Sequence, residues 1–88
     1  MKEYTYVVNA ENGLHARPAG ALATCARQFK STIKINALGK EADAKRLLSV
    51  MSLGATYGTQ LEFTIEGEDE NSAYDAIVKF CEGLGDMR

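Results

Sequence analysis

The chain has no tryptophan, one proline, one histidine and two cysteines. Each scarcity excludes something. A lone histidine without clustered cysteines supplies no ligand set at zinc spacing, so neither a metal nor another cofactor is expected. Cys25 and Cys81 have no CxxC arrangement and read as small buried hydrophobes on helices, which suits a reducing compartment, with a structural disulfide as the main alternative. No apolar run approaches the roughly 20 residues that cross a bilayer, and Met1-Lys2-Glu3-Tyr4 lacks the apolar core of a secretion signal. The expected location is the cytoplasm, with no membrane insertion. A net charge of -2 leaves no overall footprint for nucleic acid. With 88 residues, one domain over residues 1–88 is expected, with a thin core. Such a chain favours a surface site over a deep cavity with its own lid.

What is present alternates between two periodicities. Residues 3–9, rich in aromatic and β-branched types, read as a strand, and Asn9-Ala10-Glu11-Asn12-Gly13 as a turn. Ala16 to about Lys30 reads as a helix, with Leu22, Ala26 and Phe29 toward the core. Pro18 falls in its first turn, where a missing N–H costs nothing. Gly20 within it costs about 1 kcal/mol relative to Ala, which points to close packing or a closely approaching partner. Thr32–Asn36 alternates as a strand, and Leu38-Gly39-Lys40 turns it into a short strand ending near Asp43. Ala44–Leu53 reads as a helix closed by Gly54, with too many apolar residues for one narrow stripe. Gly58-Thr59 is a turn signal, and Gln60–Glu66 alternates as a strand. Glu68-Asp69-Glu70 then opens a helix to about Gly83, its acids placed at the positive end of the dipole. Ala73, Ala76, Ile77, Phe80, Cys81 and Leu84 form its apolar face. The order β-α-β-β-α-β-α predicts an α+β fold, with helices on one face of an antiparallel or mixed sheet.

The segment that carries chemistry is Asn12-Gly13-Leu14-His15-Ala16-Arg17-Pro18-Ala19. It places the only histidine where a loop becomes a helix. Backbone N–H groups of a first helical turn point outward with partial positive charge, and can hold a phosphoryl group without a pocket. A neutral imidazole has the free lone pair of a nucleophile. The Arg17 guanidinium can pair with phosphoryl oxygens. Gly13 permits backbone geometry that a side chain blocks, and Asn12 can orient the ring by a hydrogen bond to its second nitrogen. Taken alone, a histidine at a helix start also fits a plain surface or capping residue.

The octapeptide resembles the active-site signature of the HPr family of histidine-containing phosphocarriers, which serve the sugar phosphotransferase system. Val50-Met51-Ser52-Leu53-Gly54 resembles the end of the family's second helix, and Glu66-Gly67-Glu68-Asp69-Glu70 its C-terminal part. The resemblance implies an open-faced β-sandwich: a four-stranded antiparallel sheet with three helices on one face. It implies a carrier rather than an independent enzyme. Enzyme I would phosphorylate His15, at Nδ1, using phosphoenolpyruvate, and the group would pass to a sugar-specific enzyme IIA. Arg17 and the N–H groups of Ala16 and Arg17 would stabilise the phosphoryl group. Both partners would dock on Leu47, Leu48 and Met51, with Gly20 beside them, and the carrier would be a monomer. The same arrangement implies that Cys25 and Cys81 lie far apart.

One position departs from the pattern. Many family members carry a regulatory serine where this chain has Arg46. A serine kinase cannot modify Arg46, and its charge at a helix start costs from a few tenths to about 1 kcal/mol unless Glu41 or Asp43 offsets it. Two other functions compete with the carrier. One is a regulatory binding module of the same fold, docking on regulatory proteins such as a transcription factor, or on an enzyme, without carrying phosphate, whose members lose the active histidine. The other is a small enzyme with a histidine intermediate, which lacks a second catalytic group here.

Overall fold

The computed structural model describes residues 1–84. Seven elements follow one another: β1 (Lys2–Val7), α1 (Ala16–Ala26), β2 (Thr32–Ala37), β3 (Lys40–Asp43), α2 (Leu47–Met51), β4 (Gln60–Glu66) and α3 (Glu70–Leu84). The strands form one sheet in the order β1-β4-β2-β3, and each neighbouring pair is antiparallel.

Alternation decides which side of this sheet is covered. One row across it reads Tyr4, Phe63, Ile35, Ala42, and it faces the helices. The rows on the other face read Thr5, Glu62, Asn36, Glu41 and Glu3, Thr64, Lys34, Asp43. Because side chains alternate strictly along a strand, a register slip of one residue would exchange these faces. Ile33, Ile35, Phe63 and Ile65 are fully buried. Each contributes about 1.5–3 kcal/mol relative to an exposed position.

The helices complete the core. Leu22, Ala23 and Ala26 of α1, Val50 of α2, and Ala73, Ile77, Cys81 and Leu84 of α3 are all buried. Tyr4 ties β1 to α3 through an edge-on contact with Tyr74, with ring centroids 6.0 Å apart. In α3 the partly buried Ala76 and Phe80 complete the face read from the periodicity.

Two helices are shorter than their periodicity predicts, for one shared reason. The α1 pattern continues to Lys30, but the helix ends at Ala26. The carboxylate of Asp69 accepts the N–H groups of Lys30 (2.8 Å) and Ser31 (2.9 Å) and so takes them out of the helical ladder. Phe29 therefore lies beyond the helix and is half-buried. The Ser31 hydroxyl and these N–H groups hold the Asp69 carboxyl down to about 2, below the usual carboxylate range. Likewise α2 begins at Leu47, not Ala44. The Ala44 N–H donates to the Ile33 carbonyl, the Arg46 N–H to the Asp43 backbone carbonyl, and the Lys45 N–H to the Asp43 carboxylate. Short polar side chains that bond nearby backbone compete with the helix in this way.

Candidate functional site

The site is built by the segment between β1 and α1. Val8, Ala10 and Leu14 are buried and anchor it. A turn closes with the Gly13 N–H on the Ala10 carbonyl, 2.9 Å away. Gly13 has φ +68°, and a Cβ there would lie 2.5 Å from the Ala55 oxygen and 2.8 Å from the Thr56 Cα. Only glycine fits, because the loop preceding β4 presses against this point. The Leu14 N–H donates to the Ala55 carbonyl (3.0 Å) and the Val8 N–H to that of Thr59 (2.9 Å). The Gly58 N–H donates back to Val8 (2.8 Å).

His15 follows as the N-cap of α1, with extended backbone (φ -79°, ψ -174°). Its carbonyl accepts the first intrahelical bond, from the Ala19 N–H at 3.0 Å. Its side chain makes no capping bond, so the imidazole is not consumed by the helix end. Nε2 is buried and has no hydrogen-bond partner. The N–H groups of Ala16 and Arg17 precede the first intrahelical bond, and Pro18 between them and Ala19 has none to give. Arg17 is exposed, whereas Pro18 is buried and fixes the turn. Asn12 is exposed, and no hydrogen bond joins it to the imidazole among the described residues.

The second helix lies beside this one. Leu47, Leu48 and Met51 are 37%, 80% and 39% exposed, while Val50 of the same short helix is buried. A Cβ on Gly20 would meet only the Leu47 Cδ1, at 4.0 Å. Internal packing thus does not demand this glycine. The Arg27 guanidinium donates to the Lys45 carbonyl (2.9 Å) and the Lys45 ammonium to that of Phe29 (2.8 Å), joining the end of α1 to the approach of α2. Arg46 caps α2 with extended backbone and no side-chain bond. The compensation expected for it from Glu41 or Asp43 does not form as an ion pair among the described residues. Glu41 pairs with Lys34 at 3.4 Å, and Asp43 is turned to the Lys45 N–H.

Other candidate chemistry drops away. Both cysteines are free. Burial pushes the Cys81 thiol up to about 12, with a smaller contribution from Cys25, and burial also raises Cys25. Neither thiol is a ready nucleophile. Cys25 is only half-buried. Among the described residues no three His, Cys, Asp or Glu side chains gather to hold a metal ion, and no helix is long and apolar enough to cross a membrane. A hollow of about 200 Å³ lies on the outer sheet face, lined by Glu3, Thr5, Asn36, Glu62 and Thr64 among others, and shares no residue with the His15 segment. What sequence reasoning missed is the 55–59 loop. Its only local signal was the turn pair Gly58-Thr59, which says nothing of what the turn touches.

Comparisons with known proteins agree with this geometry. The profile described as "PTS HPr component phosphorylation site" matches residues 2–83. The phosphocarrier protein HPr of Lysinibacillus sphaericus is 36% identical over 85 residues, covering 97% of each chain. The crystal structure of HPr-C-His from Thermoanaerobacter tengcongensis superposes with a TM-score of 0.92 at 35% identity, over 100% of this chain and 99% of that one. A crystal structure of an HPr dimer from the same organism matches with a TM-score of 0.74 at 36% identity, over 94% and 95% of the chains, so proteins of this fold are not uniformly monomeric. This chain belongs to the HPr family of phosphocarriers of the phosphotransferase system.

Proposed function

We propose that this chain accepts a phosphoryl group on Nδ1 of His15 from enzyme I, which draws it from phosphoenolpyruvate, and passes it to enzyme IIA components in the cytoplasm. The observation that carries this reading is the state of the imidazole. It sits at a helix N-terminus without capping it, and its Nε2 is buried. Attack requires a nitrogen that an incoming phosphorus can reach, which leaves Nδ1. The Nδ1 lone pair attacks phosphorus, and an N–P bond forms as the donor's bond to phosphorus breaks with its electrons staying on the donor. The N–H groups of Ala16 and Arg17 and the guanidinium of Arg17 take up the charge of the phosphoryl oxygens. Pro18 holds the turn that aims them. Nothing further is needed from this chain, which fits a carrier rather than an independent enzyme.

Leu47, Leu48 and Met51, with Gly20 beside them, are the surface on which we place donor and acceptor. Exposed apolar side chains on a helix next to the reacting group suit a shared docking patch. Incubation with enzyme I and labelled phosphoenolpyruvate tests the reading. The expected result is acid-labile, base-stable label that is lost in His15→Ala, with the nitrogen-15 spectrum assigning phosphate to Nδ1. An unlabelled wild-type protein overturns it in favour of the regulatory binding module.

The serine switch common in the family is absent on this reading, because Arg46 occupies its position. Ser49 and Ser52 are poor substitutes. The Ser49 hydroxyl accepts the Asp43 N–H at 2.9 Å, and that of Ser52 donates to the Ser49 carbonyl at 2.6 Å. Incubation with a serine kinase of this system and ATP should leave no phosphoserine, and stoichiometric modification of either serine rejects the idea.

A further inference from the structure

We propose that Thr59 is a positioning residue for phosphoryl transfer, acting on His15 through the loop that precedes β4. The inference rests on the reading of His15 given above. Thr59 is half-buried and lies well outside the octapeptide. Its hydroxyl accepts the Thr56 N–H at 3.1 Å, and its own N–H donates to the Thr56 carbonyl at 3.0 Å, so one residue closes a tight turn from both sides. That turn sets the position of Ala55, the residue just before it. The Ala55 carbonyl receives the Leu14 N–H at 3.0 Å and faces Gly13 at a distance no Cβ could tolerate. Leu14 is bonded directly to His15. The Thr59 carbonyl also receives the Val8 N–H, at 2.9 Å, which fixes the other end of the same segment.

The chain of contacts therefore runs from the Thr59 hydroxyl to Thr56, Ala55, Leu14 and His15, and among the described residues the Ala55 carbonyl is the acceptor of the Leu14 amide. Phosphoryl transfer depends on in-line placement of the attacking nitrogen, so a small displacement of the loop is felt in rate more than in binding. The partner surface on α1 and α2 lies outside this chain of contacts, so affinity for the donor should survive.

Thr59→Val keeps the shape of the side chain and removes only the hydroxyl, and Thr59→Ser keeps the hydroxyl. In phosphorylation by enzyme I, Thr59→Val should lower kcat about five- to tenfold. KM for the carrier should stay within about twofold, and Thr59→Ser should restore the rate. Hydrogen exchange supplies a readout that needs no partner. The Leu14 and Thr56 amides should lose about tenfold in protection in Thr59→Val, while the core amides of Ile35 and Phe63 keep theirs. A kcat within twofold of wild type overturns the proposal, as does a serine variant as slow as the valine variant. Uniform loss of protection across Ile35 and Phe63 overturns it as well, since that marks general destabilisation. A wild-type protein that takes no label at His15 removes the carrier reading itself, and is told apart by failing before any variant is made.

Discussion

The helical front and the outer face of the sheet are both open to solvent, yet they are built on opposite rules. Residues 14–28 and 44–61, which supply the front, hold four of the ten cationic residues and none of the twelve acidic ones. They also expose Leu47, Leu48 and Met51. The outer sheet face carries Glu3, Glu41, Asp43, Glu62 and Glu66 around the single Lys34, and its polar residues alternate with the buried rows. The sheet face is what solvation alone would select. The front is not, because a leucine as exposed as Leu48 does little for folding and the lack of carboxylates goes beyond what solubility requires. Both features make sense for a surface that receives a phosphoryl group. Carboxylates near it would repel the incoming charge, and a cationic rim would draw in partners with acidic surfaces.

The largest expected difference concerns two glycines, one just before the front, next to Leu14, and one in the turn that joins β2 to β3. Gly13 and Gly39 share a left-handed backbone, with φ +68° and +78°. A Cβ on Gly13 meets the Ala55 and Thr56 backbone, whereas one on Gly39 meets nothing within 4 Å. Gly39→Ala should cost about 1 kcal/mol of stability, the price of the backbone conformation alone. Gly13→Ala adds a backbone collision and should cost about 2–4 kcal/mol. Denaturant unfolding of the two variants compares them directly. Equal losses would mean that the site segment is free to move away from the 55–59 loop.

Next in size is the effect of charge on docking. Leu48 is 80% exposed, so Leu48→Asp should leave the unfolding midpoint nearly unchanged. It places a negative charge in the apolar patch, and KM for enzyme I should rise about tenfold. Asn36→Asp adds the same charge to the outer face of the sheet and should leave KM within about twofold. If the two variants behave alike, the front is not the docking surface and the contrast between the faces is only one of composition.

How much of this contrast was legible in the sequence follows from the range of the forces involved. The strands were legible because alternation is local: Ile33 and Ile35, or Leu61, Phe63 and Ile65, declare a buried face within one segment. So were Gly13, His15, Arg17 and Pro18, which lie together in one short stretch. The helix ends were not, because Asp69 captures Lys30 and Ser31 from almost forty positions away. The support of the site was hidden for the same reason. Ala55 and Thr59 reach the loop before α1 through backbone groups, and backbone groups leave no side-chain signature. The clustering of acids on the outer face likewise needed the strand register, which pairs Glu62 with Thr5 and Asn36.

The smallest predicted effect bears on why the front is built as it is. A glycine inside α1 weakens the helix, and nothing among the described residues requires one at position 20. Gly20→Ala should therefore stabilise the protein, by up to about 1 kcal/mol from helix propensity. The added methyl reaches only van der Waals distance from Leu47, so the gain should not be lost to strain. If a partner packs against this part of α1, the same methyl stands in its way and KM for enzyme I should rise by about two- to fivefold. A variant that is both more stable and a poorer substrate would show that the front gives up stability for access. Gains in stability with KM unchanged would leave Gly20 as a weakness the fold merely tolerates, and would confine the docking patch to Leu47, Leu48 and Met51.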